Sequence, residues 1–264
     1  MKKNHRACGR CGHEYSTLRA QCPSCKAWDN GGIRANPLDD GTKLLVDVQA
    51  IGSRRLSTGM PAVDELLGGG GIVIGSVVLI GGKAGAGKST VSLQIADSIA
   101  TRQNREVMYV AAEEGEHDIK LRFERLNLKS PHLVRVFPMG NHADLVETLR
   151  SRAPCATFFD SLPGFVSSPE EGLELCKALK PIAVSLDMPM IVIDHINKQD
   201  DFAGLEALQH AVDTLITLFP TGEDELREME VVKNRNGKAH ITLNMMMTET
   251  GIFPVLDEET DEDD

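Results

Sequence analysis

Apolar residues occur along this chain at two spacings, and the spacing separates strands from helices. Val77-Val78-Leu79-Ile80 is short, unbroken and rich in β-branched residues, as expected of a strand covered on both faces. Beyond a glycine-rich stretch, Val91, Ile95 and Ile99 recur every fourth residue, which predicts a helix. Four further apolar runs follow: Val107-Met108-Tyr109-Val110, Thr157-Phe158-Phe159 ending at Asp160, Met190-Ile191-Val192-Ile193 ending at Asp194, and Leu215-Ile216 within VDTLITL. Helix-like stretches separate them. The predicted fold is therefore α/β with a largely parallel central sheet, and its sites are expected at the strand C-termini. Upstream, Pro61 sits where a helix could start and Gly68 to Gly71 would end it. Past Glu228 the connections shorten, so EVVKNR and AHITLNMMM read as an antiparallel hairpin appended to the sheet. Met245-Met246-Met247 is then core and strand edge.

Composition adds little to this picture, but charge distribution adds more. The 264 residues are 41% hydrophobic and 25% charged, which is ordinary for a globular chain. No apolar run approaches a membrane span, and the basic N-terminus MKKNHRACGRCG lacks the apolar segment of a secretory signal. A cytoplasmic, nucleoid-associated protein with no membrane partner is the expectation. The formal charge of −11 is unevenly spread: DEETDEDD, residues 257–264, holds seven acids and no base. Residues 1–26 instead carry six Lys or Arg against Glu14. A basic head of this kind suits a polyanion or simply a solvated surface.

Candidate chemistry begins in that head. Cys8, Cys11, Cys22 and Cys25 form C-x2-C-x10-C-x2-C, two knuckles whose four thiolates can complete a tetrahedral zinc site. Four thiolates leave no position for water, so such a site is structural. It also supplies stability that a segment too short to bury its own core lacks. Cys155 and Cys176 sit beside apolar residues and read as buried thiols. After the first predicted strand comes Gly82-Lys83-Ala84-Gly85-Ala86-Gly87-Lys88-Ser89-Thr90, a complete phosphate-binding loop followed by a helix. Its glycines let backbone N–H groups converge on a phosphate. Lys88 is placed to bridge the β- and γ-phosphates, and the Ser89 hydroxyl to ligate Mg²⁺. Asp160 ends a later strand, the position of a carboxylate that holds the Mg²⁺ shell. Glu113 and Glu114 end the strand before it, where one could deprotonate an attacking water. His195, beside Asp194 at another strand end, is a candidate γ-phosphate sensor. Lys120, Arg122 and Arg125 read as a solvated helix face.

Taken together, these segments resemble the RadA (Sms) family of bacterial recombination ATPases, in the RecA-like superfamily. The resemblance is carried by CGRCGHEYSTLRAQCPSCKAW, STGMPAVDELLGGG, GSVVLIGGKAGAGKST, YVAAEE, DHINKQDDFAGLEALQHAVDT and KNRNG. It implies a finger at 1–28, a linker at 29–50, a RecA-like ATPase domain at 51–256 and an acidic, disordered tail at 257–264. It further implies ATP, Mg²⁺ and Zn²⁺ as cofactors, single-stranded DNA as partner and a homo-oligomeric, usually hexameric, ring. Glu113 becomes the catalytic carboxylate, Lys198 a candidate DNA contact, and Lys233 and Arg235 trans-acting cations aimed at ATP held by the next protomer. The implied activity is an ATP-driven DNA translocase or helicase in recombination, branch migration and repair. A RecA-type strand-exchange filament and a non-motor ATP switch recruiting a replication helicase are the alternatives. Two departures stand out. The family normally carries a C-terminal Lon-protease-like domain, whereas this sequence stops just after GIFPVL and the tail. The family signature also has Phe where Asn236 stands. The tail could mimic DNA, dock a basic replication or recombination partner as the finger also could, or merely solubilise.

Overall fold

The computed structural model describes residues 5–8, 11–16, 22–26, 54–138, 142–195 and 202–255, and the chain divides into two units, Met1–Gln49 and Ala50–Asp264. In the first unit, β1 (His5–Ala7) pairs antiparallel with β2 (Glu14–Ser16). Between them the Cys8 amide donates to His13 O at 2.9 Å and the Gly12 amide to Cys8 O at 2.8 Å, closing a tight turn around Cys11. A second turn follows Cys22, whose carbonyl accepts from Lys26 N at 3.1 Å.

The second unit opens with β3 (Arg55–Leu56), α1 (Pro61–Leu66) and β4 (Ile72–Val73), which pairs back onto β3. Pro61 occupies the first turn of α1, where its missing N–H costs no hydrogen bond. The buried Asp64 carboxylate accepts from Ser57 Oγ at 2.5 Å, Thr58 N at 2.7 Å and Thr58 Oγ1 at 2.6 Å. These bonds fix the Ser-Thr-Gly bend to the helix. The alternating elements follow: β5 (Val77–Gly82), α2 (Lys88–Gln103), β6 (Val107–Ala111), α3 (Glu116–Arg125), β7 (Val134–Pro138), α4 (His142–Arg152), β8 (Thr157–Asp160), α5 (Pro169–Ser185), β9 (Met190–His195), α6 (Phe202–Ala211) and β10 (Thr214–Pro220). Three antiparallel strands close the chain: β11 (Leu226–Asn234), β12 (Ile241–Thr248) and β13 (Gly251–Pro254).

One nine-stranded sheet joins these strands in the order β13-β12-β11-β10-β5-β9-β8-β6-β7. From β10 to β7 every pairing is parallel, and from β10 to β13 every pairing is antiparallel. The run Val77–Ile80 is unbroken because both of its faces are covered. Val78 and Ile80 join the core packed by α1, α2 and α3, while Val77 and Leu79 join the core packed by α4, α5 and α6. Cys155 and Cys176 are buried in these cores, and burial pushes the Cys176 thiol up to about 12. No helix among the described residues is long and apolar enough to cross a membrane.

The strands expected from apolar runs are all present, and so is the late hairpin. The structure adds β7 and β13. β7 escapes an apolar-run search because Arg135 interrupts it; this is an edge strand, half-buried along most of its length, whose arginine pairs with Glu106.

Candidate active site

The site lies where β5, β6, β8 and β9 end together, at the C-terminal edge of the parallel strands. Gly82 leaves β5 and the loop turns into α2 at Lys88. Only glycine fits two of its positions. A Cβ on Gly82 would lie 2.1 Å from Leu218 O, and one on Gly87, whose φ is +97°, would lie 2.2 Å from Ile252 Cδ1. Lys88 Nζ is buried against the loop it belongs to. It donates to Gly82 O at 2.7 Å and Lys83 O at 2.9 Å, and lies 3.3 Å from His195 Nδ1. Burial pulls its pKa down, and the carboxylates of Asp160, Asp194 and Glu113 oppose that shift.

Asp160 is held from both sides. Ser89 Oγ donates to its Oδ1 at 3.1 Å and the fully buried Tyr109 hydroxyl to its Oδ2 at 2.5 Å. Burial raises its pKa, with the Tyr109 and Ser89 hydrogen bonds acting the other way. A hydroxyl and a carboxylate oxygen this close are the hard oxygen donors a Mg²⁺ ion takes, so the pair fits that ion. The two glutamates after β6 separate clearly. Glu114 is occupied by Arg122, which donates to both carboxylate oxygens at 2.6 Å. Glu113 instead accepts from the Ser161 hydroxyl and lies 3.5 Å from His195 Nε2. Lys88, Ser89, Glu113, Asp160 and His195 thus line one cleft of about 280 Å³.

Two residues of this cleft escape the sequence reading. Tyr109 reads as one more apolar strand position, and only its hydroxyl reveals the contact with Asp160. Arg122 is not the solvated residue expected: its side chain is 20% exposed and lines the cleft, whereas Lys120 pairs with Glu124 at the exposed surface. Helical spacing carries the signal, because Arg122 follows the buried Ile119 by three residues and precedes the buried Leu126 by four.

Lys233 and Arg235 lie elsewhere. Arg235 N donates to Asp213 O and Asp213 N donates to Val77 O, both at 2.9 Å, which sets them level with the start of β5. Five residues of strand, roughly 17 Å, separate that edge from Gly82. Both side chains turn to the C-terminal end of α6: Lys233 Nζ donates to Gln209 O and, at 2.9 Å, to Val212 O, and Arg235 donates to His210 O at 3.3 Å. Arg235 also reaches the buried Asp213 at 3.4 Å, which accepts from Lys180 at 2.6 Å and from Val77 N at 2.8 Å. Burial and the neighbouring Arg235 lower the Lys233 pKa.

The family profile described as "ATPase: KaiC" matches residues 56–136. Over 273 residues the chain is 30% identical to the DNA repair protein RadA of Aquifex aeolicus, an alignment covering 97% of this chain and 61% of that protein. Against RadA of Chlamydia muridarum the identity is 31%, covering 96% and 59%, and against RadA of Bacillus subtilis 30%, covering 94% and 59%. This chain is a RadA homologue. It spans about 60% of the length of these RadA relatives. In fold it is similar to a KaiC-like protein of Pyrococcus horikoshii, with a TM-score of 0.66 at 18% identity over 77% of this chain and 99% of that one.

In this RadA homologue the four N-terminal cysteines lie together. Their Sγ atoms all fall within 4.8 Å of one another, with Cys8–Cys25 at 3.6 Å and Cys11–Cys22 at 3.7 Å. Zn–S bonds of about 2.3 Å give tetrahedron edges of about 3.8 Å, so the cluster has the dimensions of a four-thiolate site. Lys198, the stretch 29–50 and the acidic tail 257–264 lie outside the described residues.

Proposed function

We propose that this chain binds and hydrolyses ATP and couples hydrolysis to movement on single-stranded DNA during repair or recombination. The observation that carries the reading is the convergence of Lys88, Ser89, Glu113 and Asp160 on one cleft in a chain homologous to RadA over nearly its whole length. Lys88 exchanges the Gly82 and Lys83 carbonyls for phosphate oxygens, and the N-terminus of α2 faces the same charge. Glu113, left free by the Arg122–Glu114 pair, takes the proton of the water that attacks the γ-phosphorus as the bridging P–O bond breaks. Ser89 and Asp160 would hold Mg²⁺, which neutralises charge on the phosphates when bound. His195 touches both Lys88 and Glu113 and reports the γ-phosphate to the residues after β9, among them Lys198, the proposed DNA contact. The decisive measurement is the ATPase rate with and without single-stranded DNA. Stimulation supports the motor, and an unchanged rate overturns it while leaving the ATPase standing.

The assembly we propose is a ring, hexameric as the RadA resemblance implies, with ATP between protomers. Lys233 and Arg235 are too far from their own phosphate loop to serve it, which favours a role on the neighbour's γ-phosphate. For the head, the sulfur spacing supports one structural Zn²⁺ per chain. Metal analysis is expected to give one zinc per chain and none in Cys11→Ser; a metal-free wild-type chain would remove the assignment.

A further inference from the structure

The two sides of the cleft differ in chemistry. Lys88, Glu113, Asp160 and His195 line the side at the strand ends, where terminal phosphates belong. The other side is closed by Arg125, from the last turn of α3, and by Met247, from β12. Neither belongs to a phosphate loop, and neither is used in the hydrolytic reading. The Met247 sulfur would lie 3.8 Å from a Cβ on Gly87, so the β12 edge sits directly over the mouth of the loop. Arg125 is exposed and has no ion pair among the described residues. Its NH1 donates to Glu249 O at 2.8 Å, which ties the guanidinium to the turn between β12 and β13. A tethered planar cation and a polarisable thioether on one side of a nucleotide cleft are both partners for the face of an aromatic ring. No side-chain amide lines the cleft, and both glutamates have other partners, so no free carboxylate or amide is set to read a base edge.

We propose that Arg125 and Met247 form the base subsite of this cleft and hold a purine by its faces, so that the site prefers purine to pyrimidine nucleotides without reading the base edge. This rests on the nucleotide-binding reading above and extends it to substrate class. Arg125 is a binding residue in this scheme and takes no part in bond breaking.

Calorimetric titration of the full chain with Mg²⁺ and either ADP, CDP or pyrophosphate tests it without turnover. The wild-type chain is expected to bind ADP at least tenfold more tightly than CDP. Arg125→Ala and Arg125→Lys should each weaken ADP at least tenfold and leave pyrophosphate within twofold; Met247→Ala should weaken ADP several-fold. Lysine keeps the charge and the helix propensity but not the plane, so it separates stacking from charge and from loss of fold. Equal weakening of pyrophosphate and ADP, or rescue by lysine, would make Arg125 a phosphate ligand and overturn the proposal. So would ADP affinity unchanged in all three variants, or equal wild-type affinity for ADP and CDP. A wild-type chain that binds neither ADP nor pyrophosphate would instead remove the nucleotide reading itself.

Discussion

At the scale of single residues, the site is decided by which partner each charged group already has. Glu113 and Glu114 are adjacent and chemically identical, and nothing in their spelling separates them. The bidentate Arg122 contact does so by taking Glu114 out of play. Glu113→Gln should therefore lower the ATPase turnover about 10²–10⁴-fold while ADP affinity stays within a few-fold, measured by steady-state kinetics and calorimetry. Asp160 offers a pH test. Its folded pKa is raised by burial, so ionising it opposes folding. The metal-free chain should gain stability as pH falls through that raised value toward the ordinary 3.8, and lose it as pH rises. Asp160→Asn, which cannot ionise, should be more stable than wild type at neutral pH, and denaturant titrations should show the difference closing as the pH falls. The phosphate loop and Asp160 were legible in the sequence because their chemistry demands fixed residue types at strand ends. Arg122 and Tyr109 were not, because any helix surface carries arginines and any buried strand carries aromatics.

Elements were legible where both faces of a strand are covered. The continuous runs of β5, β6, β8 and β9 follow from cores on each side of the sheet, whereas β7 at the edge lacks that constraint. The contact between distant motifs had no local signature at all. Arg55 donates to Leu67 O at 3.0 Å, Gly71 O at 2.8 Å and Asn236 O at 2.8 Å, and Asn234 Nδ2 donates to Leu67 O at 3.0 Å. The glycine run after α1 and the turn after β11 are thus one joint, and the residue in place of the family's phenylalanine contributes its backbone carbonyl to it. Arg55→Ala should cost about 1–3 kcal/mol by denaturant unfolding and speed amide exchange in the turn at Asn236–Gly237. Gly87→Ala should cost a similar amount, about 1–3 kcal/mol, and abolish nucleotide binding, since a left-handed residue would also have to displace Ile252.

For the whole molecule, the placement of Lys233 and Arg235 at the sheet edge opposite the phosphate loop is the observation that reaches beyond one chain. Chains carrying Lys233→Ala or Arg235→Ala, doped into wild type, should depress turnover more steeply than their mole fraction. Activity that falls in simple proportion would confine each cation to its own subunit.

Those same cations hold the last carbonyls of α6, and a cation cannot satisfy a helix end and a phosphate at once. Each protomer therefore has a toggle. While its Lys233 and Arg235 stay home, α6 is clasped; when they leave for a neighbour's nucleotide, three carbonyls are released and the helix loses its stopper. Since α6 begins just after the residues that follow His195, loading one active site would loosen the span behind the next. News of a nucleotide would then pass around the assembly in one direction only, from the subunit that holds it to the subunit that lends the hand.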